Sequence, residues 1–208
     1  MALTQGAAGH LTWAVADRAR GGAVESGDSF VVVDRDRGPL VAVLDGLGHG
    51  PEAARAARAG VDAVRRNCHH PVDTLLRHSA VAVRATRGVV ATVCSFDLPS
   101  CRLTWAAIGN VAGLLLDHNG GAGPQRREVV QIGGILGHDV PHTRLATVDV
   151  RPGSVLVLAT DGIHPDFREV LDAGGEPGDL ANRILSSYAI EDDDALVLVA
   201  RYQPVAER

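Results

Sequence analysis

The sequence predicts an α+β fold in which antiparallel sheets are covered by paired helices. Three observations lead there. Short apolar strands follow one another in series, above all between Val90 and Leu116. Helical periodicity comes as successive pairs of segments, which argues against a strict βαβ alternation. Glycine and proline turns separate neighbouring strands closely enough for antiparallel pairing. No internal repeat and no long linker divides the chain, so residues 1–208 read as one domain. A compact chain of this size buries about 70% of its extended surface.

Taken in order, Leu11 to Arg18 alternates loosely and is the first strand. Phe30 to Val33 is an apolar, β-branched run, and Gly38-Pro39 turns it into a second run, Leu40 to Leu44. These two read as antiparallel neighbours. Pro51 suits the first position of a helix, and Ala53, Ala57, Val61 and Val64 keep helical spacing until Asn67 to Pro71 stops it. A second helix is expected from Val72 to Thr86. Strands follow at Val90 to Phe96, Arg102 to Ile108 and Val111 to Leu116, the last two joined by a Gly109-Asn110 hairpin. Asp117 to Arg127 reads as a surface loop. Glu128 to Ile132 reads as a short strand, and Arg144 to Val150 and Val155 to Thr160 as strands. Helices are expected at Pro165 to Leu171 and Leu180 to Tyr188, before a last strand, Ala195 to Tyr202. With few aromatics, the core must be built from Val, Leu, Ala and Ile.

Bulk properties exclude several functions. Net charge is −5, and no basic stretch is long enough to suggest nucleic acid. No lysine occurs, so every basic side chain apart from histidine is an arginine. The cysteines Cys68, Cys94 and Cys101 are odd in number and lack CxxC spacing, which points to a reducing compartment and away from zinc. Met1 to His10 lacks the basic start and apolar run of a signal peptide. No apolar run reaches the ~18 residues of a membrane span. A cytoplasmic monomer is the expectation.

The chemistry gathers at strand ends. Asp28 lies just before a strand. Asp45 and Asp161 each close an apolar strand, and each is followed by glycine. Asp193 lies just before the final strand. Acids so placed can converge on one end of a sheet, where two charges about 4 Å apart repel by about 4 kcal/mol at an effective dielectric of 20. Such a cluster needs cations, and oxygen-only ligation suits Mg²⁺ or Mn²⁺. Gly46, lacking a side chain, can turn its carbonyl toward a metal held by Asp45. Asp45 could then bridge two ions, with a water between them suited to in-line attack on phosphorus. Taken singly, each Asp-Gly is an ordinary turn and Glu191 to Asp194 a solvated acidic loop.

A dinucleotide-binding turn is the competing enzyme reading, since Gly46-x-Gly48-x-Gly50 stands between a strand and a helix. Against it stand Pro51, where glycine or alanine is needed, a following helix in place of a parallel strand, and the negative charge of Asp45 beside a pyrophosphate.

The set Ser26-Gly27-Asp28, Asp45 to Gly50, Ala107 to Val111, Thr160-Asp161-Gly162 and Asp193-Asp194-Ala195 resembles, in order and spacing, the metal-dependent PP2C-type phosphatases, and more closely their SpoIIE-like branch. The likeness runs from about residue 10 to residue 202. It implies an α-β-β-α sandwich: two antiparallel sheets flanked by helix pairs. It implies hydrolysis of phosphoserine or phosphothreonine on proteins with two Mn²⁺ or Mg²⁺ ions. By position, Asp45 resembles the bridging ligand, Gly46 the carbonyl ligand, and Asp161 and Asp193 ligands of one ion, with Asp28 assisting. The pattern departs from relatives at Ala23, where some carry a phosphate-holding arginine, for which Arg18 and Arg20 are the candidate replacements. It departs again at Asn110 and Pro165, where some carry acids for a third ion. A bare domain of this kind is similar to the stand-alone RsbX-like phosphatases of stressosome and partner-switching pathways. That implies phosphorylated STAS-domain proteins (RsbS/RsbR-like) as partners. A catalytically inactive module that only binds STAS proteins is the alternative, against which the complete set of acids stands. His49 is a candidate proton donor to the leaving oxygen, with a packing role in the turn as the other reading.

Overall fold

The computed structural model describes residues 1–118, 124–138, 142–169, 171 and 174–203. Its elements are β1 (Ala2–Ala8), β2 (Leu11–Arg18), β3 (Asp28–Val33), β4 (Leu40–Gly46), α1 (Pro51–Arg66), α2 (Val72–Ala82), β5 (Val89–Asp97), β6 (Arg102–Ile108), β7 (Ala112–His118), β8 (Pro124–Glu128), β9 (Gln131–Ile132), β10 (Ala146–Asp149), β11 (Val155–Ala159), α3 (Pro177–Tyr188) and β12 (Ala195–Tyr202). One sheet has the order β1-β2-β12-β11-β7-β8; the other has β10-β6-β5-β4-β3, with β9 paired in parallel to β6.

Side-chain alternation turns these sheets into four layers. Along β4, Val41 and Val43 point between the sheets, while Leu40, Ala42 and Leu44 point out toward α1 and α2. Along β11, Leu156 and Leu158 point between the sheets, and Val155, Val157 and Ala159 meet Leu180, Ile184 and Leu185 of α3. Both faces of the central strands are therefore covered, which is why they read as continuous apolar runs. Trp105 fills the layer between the sheets. Small residues on α1 let it lie close to its sheet: Gly60 faces the Leu44 side chain.

The sandwich of two mainly antiparallel sheets agrees with the expectation, and several details correct it. A strand at β1 pairs with β2 from Ala2↔Asp17 to Ala8↔Leu11. It was not anticipated, because its residues are exposed on both faces up to Ala8 and show no alternation. Gly109-Asn110 is not a hairpin. β6 and β7 belong to different sheets, and the chain crosses the sandwich there, with Gly109 N–H donating to the Ile132 carbonyl. The expected loop from Asp117 to Arg127 contains the end of β7 and most of β8; its residues 119–123 lie outside the described ones. Arg126 donates to the carbonyls of Arg168 and Leu171, and Arg127 to that of Asp149, so both tie strand to loop. The buried Asp117 accepts from Ser154 and pairs with Arg127.

Among the described residues the outer face opposite α1 and α2 carries one α-helix, α3, with a 3-10 turn at Pro165–Arg168 where a second helix was expected. The helix α2 stops at Ala82, short of Thr86. The dinucleotide reading fails here: β4 is flanked by antiparallel β3 and β5, and α1 leads into α2. Among the described residues no helix is long and apolar enough to cross a membrane.

Leu198 is fully buried between the sheets. Leu198→Ala should lower unfolding stability by about 2–5 kcal/mol, read as a lower urea midpoint with an unchanged slope. An unshifted midpoint would show that the inter-sheet layer repacks freely.

Candidate metal centre and active site

The acids named from sequence meet at one end of the sandwich. Asp28 opens β3 and Asp45 lies directly opposite it near the end of β4, as paired residues of one sheet. Asp161 follows β11 and Asp193 precedes β12, antiparallel neighbours in the other sheet. Asp45, Asp161 and Asp193 line an open basin of about 630 Å³, together with Leu47, Gly48, His49, Asn110 and Ile135. Asp28 is buried behind them. His49 is exposed on the basin rim.

The glycines after the two strand-end acids have a packing reason. A Cβ on Gly46 would lie 2.1 Å from the Ala53 carbonyl oxygen of α1. A Cβ on Gly162 would lie 1.9 Å from the Asp194 carbonyl oxygen. Backbone therefore touches backbone beside each carboxylate, and no side chain fits between. The first contact seats α1 behind Asp45. The second brings the acidic turn at 191–194 against Asp161.

Hydrogen bonds complete the frame. Thr160 Oγ1 donates to Asp28 Oδ2 at 2.7 Å, a bond that crosses from one sheet to the other, and accepts from Leu196 N–H at 3.0 Å. Asn110 Nδ2 donates to Asp161 Oδ2 at 2.7 Å. Asp194 accepts from Arg20 N–H at 2.8 Å and Gly27 N–H at 2.9 Å, fastening the segment before β3 to the turn before β12. Gly46 N–H donates to the Gly27 carbonyl at 3.0 Å. Sequence reasoning named neither Thr160 nor Asp194 as part of the frame, and placed Asn110 in a hairpin. Their signal in the sequence was membership of the motifs Thr160-Asp161-Gly162, Asp193-Asp194-Ala195 and Ala107 to Val111, which gave them no role of their own in the frame.

Electrostatically the site is held against its own charge. Burial, and then the neighbouring Asp45, drive the Asp28 carboxyl well above its ordinary value of 3.8, although the Thr160 hydrogen bond opposes this. Burial, followed by the charges of Asp161, Asp193 and Asp194, pushes Asp45 up to about 8. Asp193 is raised by burial and Asp161, and pulled back by the Asp194 amide and by Arg20. Among the described residues none of Asp28, Asp45, Asp161, Asp193 and Asp194 forms an ion pair.

Among the described residues no three histidine, cysteine or acidic side chains already close into a cation cage. The acids ring a basin instead. The donor set nonetheless fits hard divalent cations: it is all oxygen, negatively charged, and without an ion-paired protein cation among the described residues. Gly46 is buried at the strand end beside Asp45, consistent with a supporting backbone position. Of the arginines considered as phosphate holders, Arg18 is spent on the Ile190 carbonyl, while Arg20 remains near enough to influence Asp193.

Comparison with known proteins agrees with this geometry. The family described as stage II sporulation protein E (SpoIIE) matches residues 35–203. Phosphoserine phosphatase RsbX of Bacillus subtilis (strain 168) is 25% identical over 176 residues, 84% of this chain and 86% of RsbX. A crystal structure of RsbX in complex with magnesium superposes with a TM-score of 0.85 at 23% identity, covering 96% of this chain and 99% of that one. A chain from a structure of the bacterial stressosome, described as a modular system adapted to control secondary messenger signalling, gives a TM-score of 0.83 at 29% identity, over 92% and 99% of the two chains. The two-sheet architecture is shared with these structures.

The raised carboxyl groups fix the sign of a pH effect. A raised acid holds its proton in the fold at pH values where the unfolded chain has released it. For Asp45 that window runs from its ordinary value of 3.8 to about 8. In EDTA the thermal midpoint of the wild type should therefore fall as pH rises through this window. D45N should melt above the wild type at pH 8, and added Mn²⁺ should raise the midpoint of the wild type but not of D45N. A D45N midpoint at or below that of the wild type in EDTA at pH 8 would contradict the electrostatic reading.

Proposed function

The chain belongs to the SpoIIE family, and from that premise we propose that it is a metal-dependent protein serine/threonine phosphatase of PP2C type. The observation that carries this is the meeting of Asp28, Asp45, Asp161 and Asp193 from both sheets beside one open basin, with Asp45 pushed up to about 8 and no protein cation paired to it among the described residues. A pure binding surface gains nothing from such repulsion.

In this reading Asp45 and the Gly46 carbonyl would hold divalent ions together with Asp161 and Asp193, and Asp28 would support them from behind. Two Mn²⁺ or Mg²⁺ ions bound there would supply an acidified water as nucleophile and neutralise the phosphoryl oxygens. The protein's own residues keep that arrangement in register. Thr160 fixes Asp28 and Asn110 fixes Asp161. The basin is open enough for a phosphorylated side chain to enter from solvent, with Leu47 and Ile135 as apolar wall for its stem. His49, exposed on the rim, would hand a proton to the departing seryl or threonyl oxygen.

The substrates we propose are phosphorylated STAS-domain proteins of a stressosome or partner-switching pathway, met by a cytoplasmic monomer. Support comes from the likeness to RsbX and to the stressosome chain.

The test is hydrolysis of p-nitrophenyl phosphate by folded protein with Mn²⁺, with EDTA, and in D45N. Turnover should require Mn²⁺ and fall by at least about a hundredfold in D45N, a loss of about 2.7 kcal/mol of transition-state stabilisation or more. Wild type without metal-dependent turnover would make the chain an inactive binding module. Phosphorylated STAS proteins should be dephosphorylated in preference to unrelated phosphoproteins; equal rates would remove the pathway assignment.

A further inference from the structure

We propose that Arg87 is the residue that grips the phosphoryl group of the incoming substrate. The idea rests on the phosphatase reading of the same basin and adds to it a residue outside the ring of acids. Arg87 stands in the turn between α2 and β5 and is exposed. Among the described residues its guanidinium makes no hydrogen bond or ion pair, unlike Arg18, which is bound to the Ile190 carbonyl.

Its position is fixed by a separate observation. A Cβ built on Gly48 would lie 2.9 Å from Arg87 Nη1, so the guanidinium rests over the bare backbone of Gly48, which lines the basin. Gly48 also holds a φ of +87°, which side-chain-bearing residues avoid. Glycine here thus leaves room for a cation at the rim.

The backbone under Arg87 is pinned on both sides. Thr86 Oγ1 donates to the Val83 carbonyl at 2.7 Å and accepts from Gly88 N–H at 3.1 Å. The Gly88 carbonyl accepts from Leu47 N–H at 3.1 Å, and Val89 and Leu136 exchange backbone hydrogen bonds at 3.0 and 2.9 Å. Leu47 and Ile135, on the two loops so joined, both line the basin. A rigid base therefore carries a free planar fork whose five N–H donors match phosphate oxygens in pairs. Arg20 is the weaker candidate, since it already lies in the field of Asp193.

The test titrates inorganic phosphate into the Mn²⁺-loaded protein by calorimetry. It also measures hydrolysis of p-nitrophenyl phosphate and of a phosphoserine peptide. R87A should weaken phosphate binding about tenfold, as expected for loss of one charge-assisted contact, and raise KM for both substrates by a similar factor. Its kcat should change less than about threefold. R87K should recover part of the affinity, since it restores charge without the fork. R84A, which removes another exposed arginine three residues away, should behave as wild type. Unchanged phosphate affinity and KM in R87A would overturn the assignment, as would an equal loss in R84A, a loss confined to R20A, or no phosphate binding by the wild type. Should the wild type bind phosphate but hydrolyse nothing, the phosphatase reading fails while calorimetry still decides the role of Arg87.

Discussion

Everything at the open end of this sandwich depends on forcing like charges together. Two carboxylates come from one sheet and three from the other, and Asp28 is almost wholly removed from water. At an effective dielectric of 20, each pair of ionised groups about 4 Å apart would cost about 4 kcal/mol. A surface could relieve that by turning side chains outward. Asp161 is exposed and Asp193 half-buried, but Asp28 and Asp45 stand in packed strands with little room to turn, and the glycines after Asp45 and Asp161 abut the backbone at Ala53 and Asp194. Burial and mutual repulsion raise the carboxyl groups of Asp28 and Asp45 above their ordinary value, and an all-oxygen, negatively charged donor set is one that suits a hard divalent cation.

The cost of the site is carried by the layers that surround it. Three separate apolar clusters, one between the sheets and one under the helices on each outer face, hold the strands in place. Because β4 contributes to the central cluster with Val41 and Val43 and to an outer one with Leu44, Asp45 cannot shift without disturbing both. The Thr160 to Asp28 hydrogen bond then registers one sheet against the other at the level of the acids. Stability and site geometry are thus set by the same strands, and the loops above them are left to vary access.

How much of this was legible in sequence follows from where the information lies. Continuous apolar, β-branched runs marked nearly every central strand, and Pro51 marked the start of α1, because these are local signals. Asp45 and Asp161 were legible as site residues because each ends an apolar run at a glycine. The strand β1 was invisible since it buries almost nothing, and β8 since glycines precede it and arginines fill it. Gly109-Asn110 misled because adjacent strands usually pair, whereas here the chain leaves one sheet for the other. The frame residues Thr160 and Asp194 act on partners 132 and 167 positions away, and no local pattern encodes such a pairing.

Asn110 shows what kind of adjustment the charge constraint permits. Its amide occupies a place beside Asp161 where another acid would add a further negative charge to a basin already holding three carboxylates on its walls. A neutral donor supplies the opposite: it satisfies one Asp161 oxygen, leaves the rest of that carboxylate for a cation, and contributes no repulsion. Pro165, in the 3-10 turn after the Asp161-Gly162 pair, likewise adds no acid on that side. Both choices lower the number of cations the basin needs in order to be neutral. On the proposed reading, the same constraint that would draw metal ions to Asp45 also limits how many the surrounding residues are built to take, and would leave the phosphoryl charge of a substrate to be met by a protein cation on the rim.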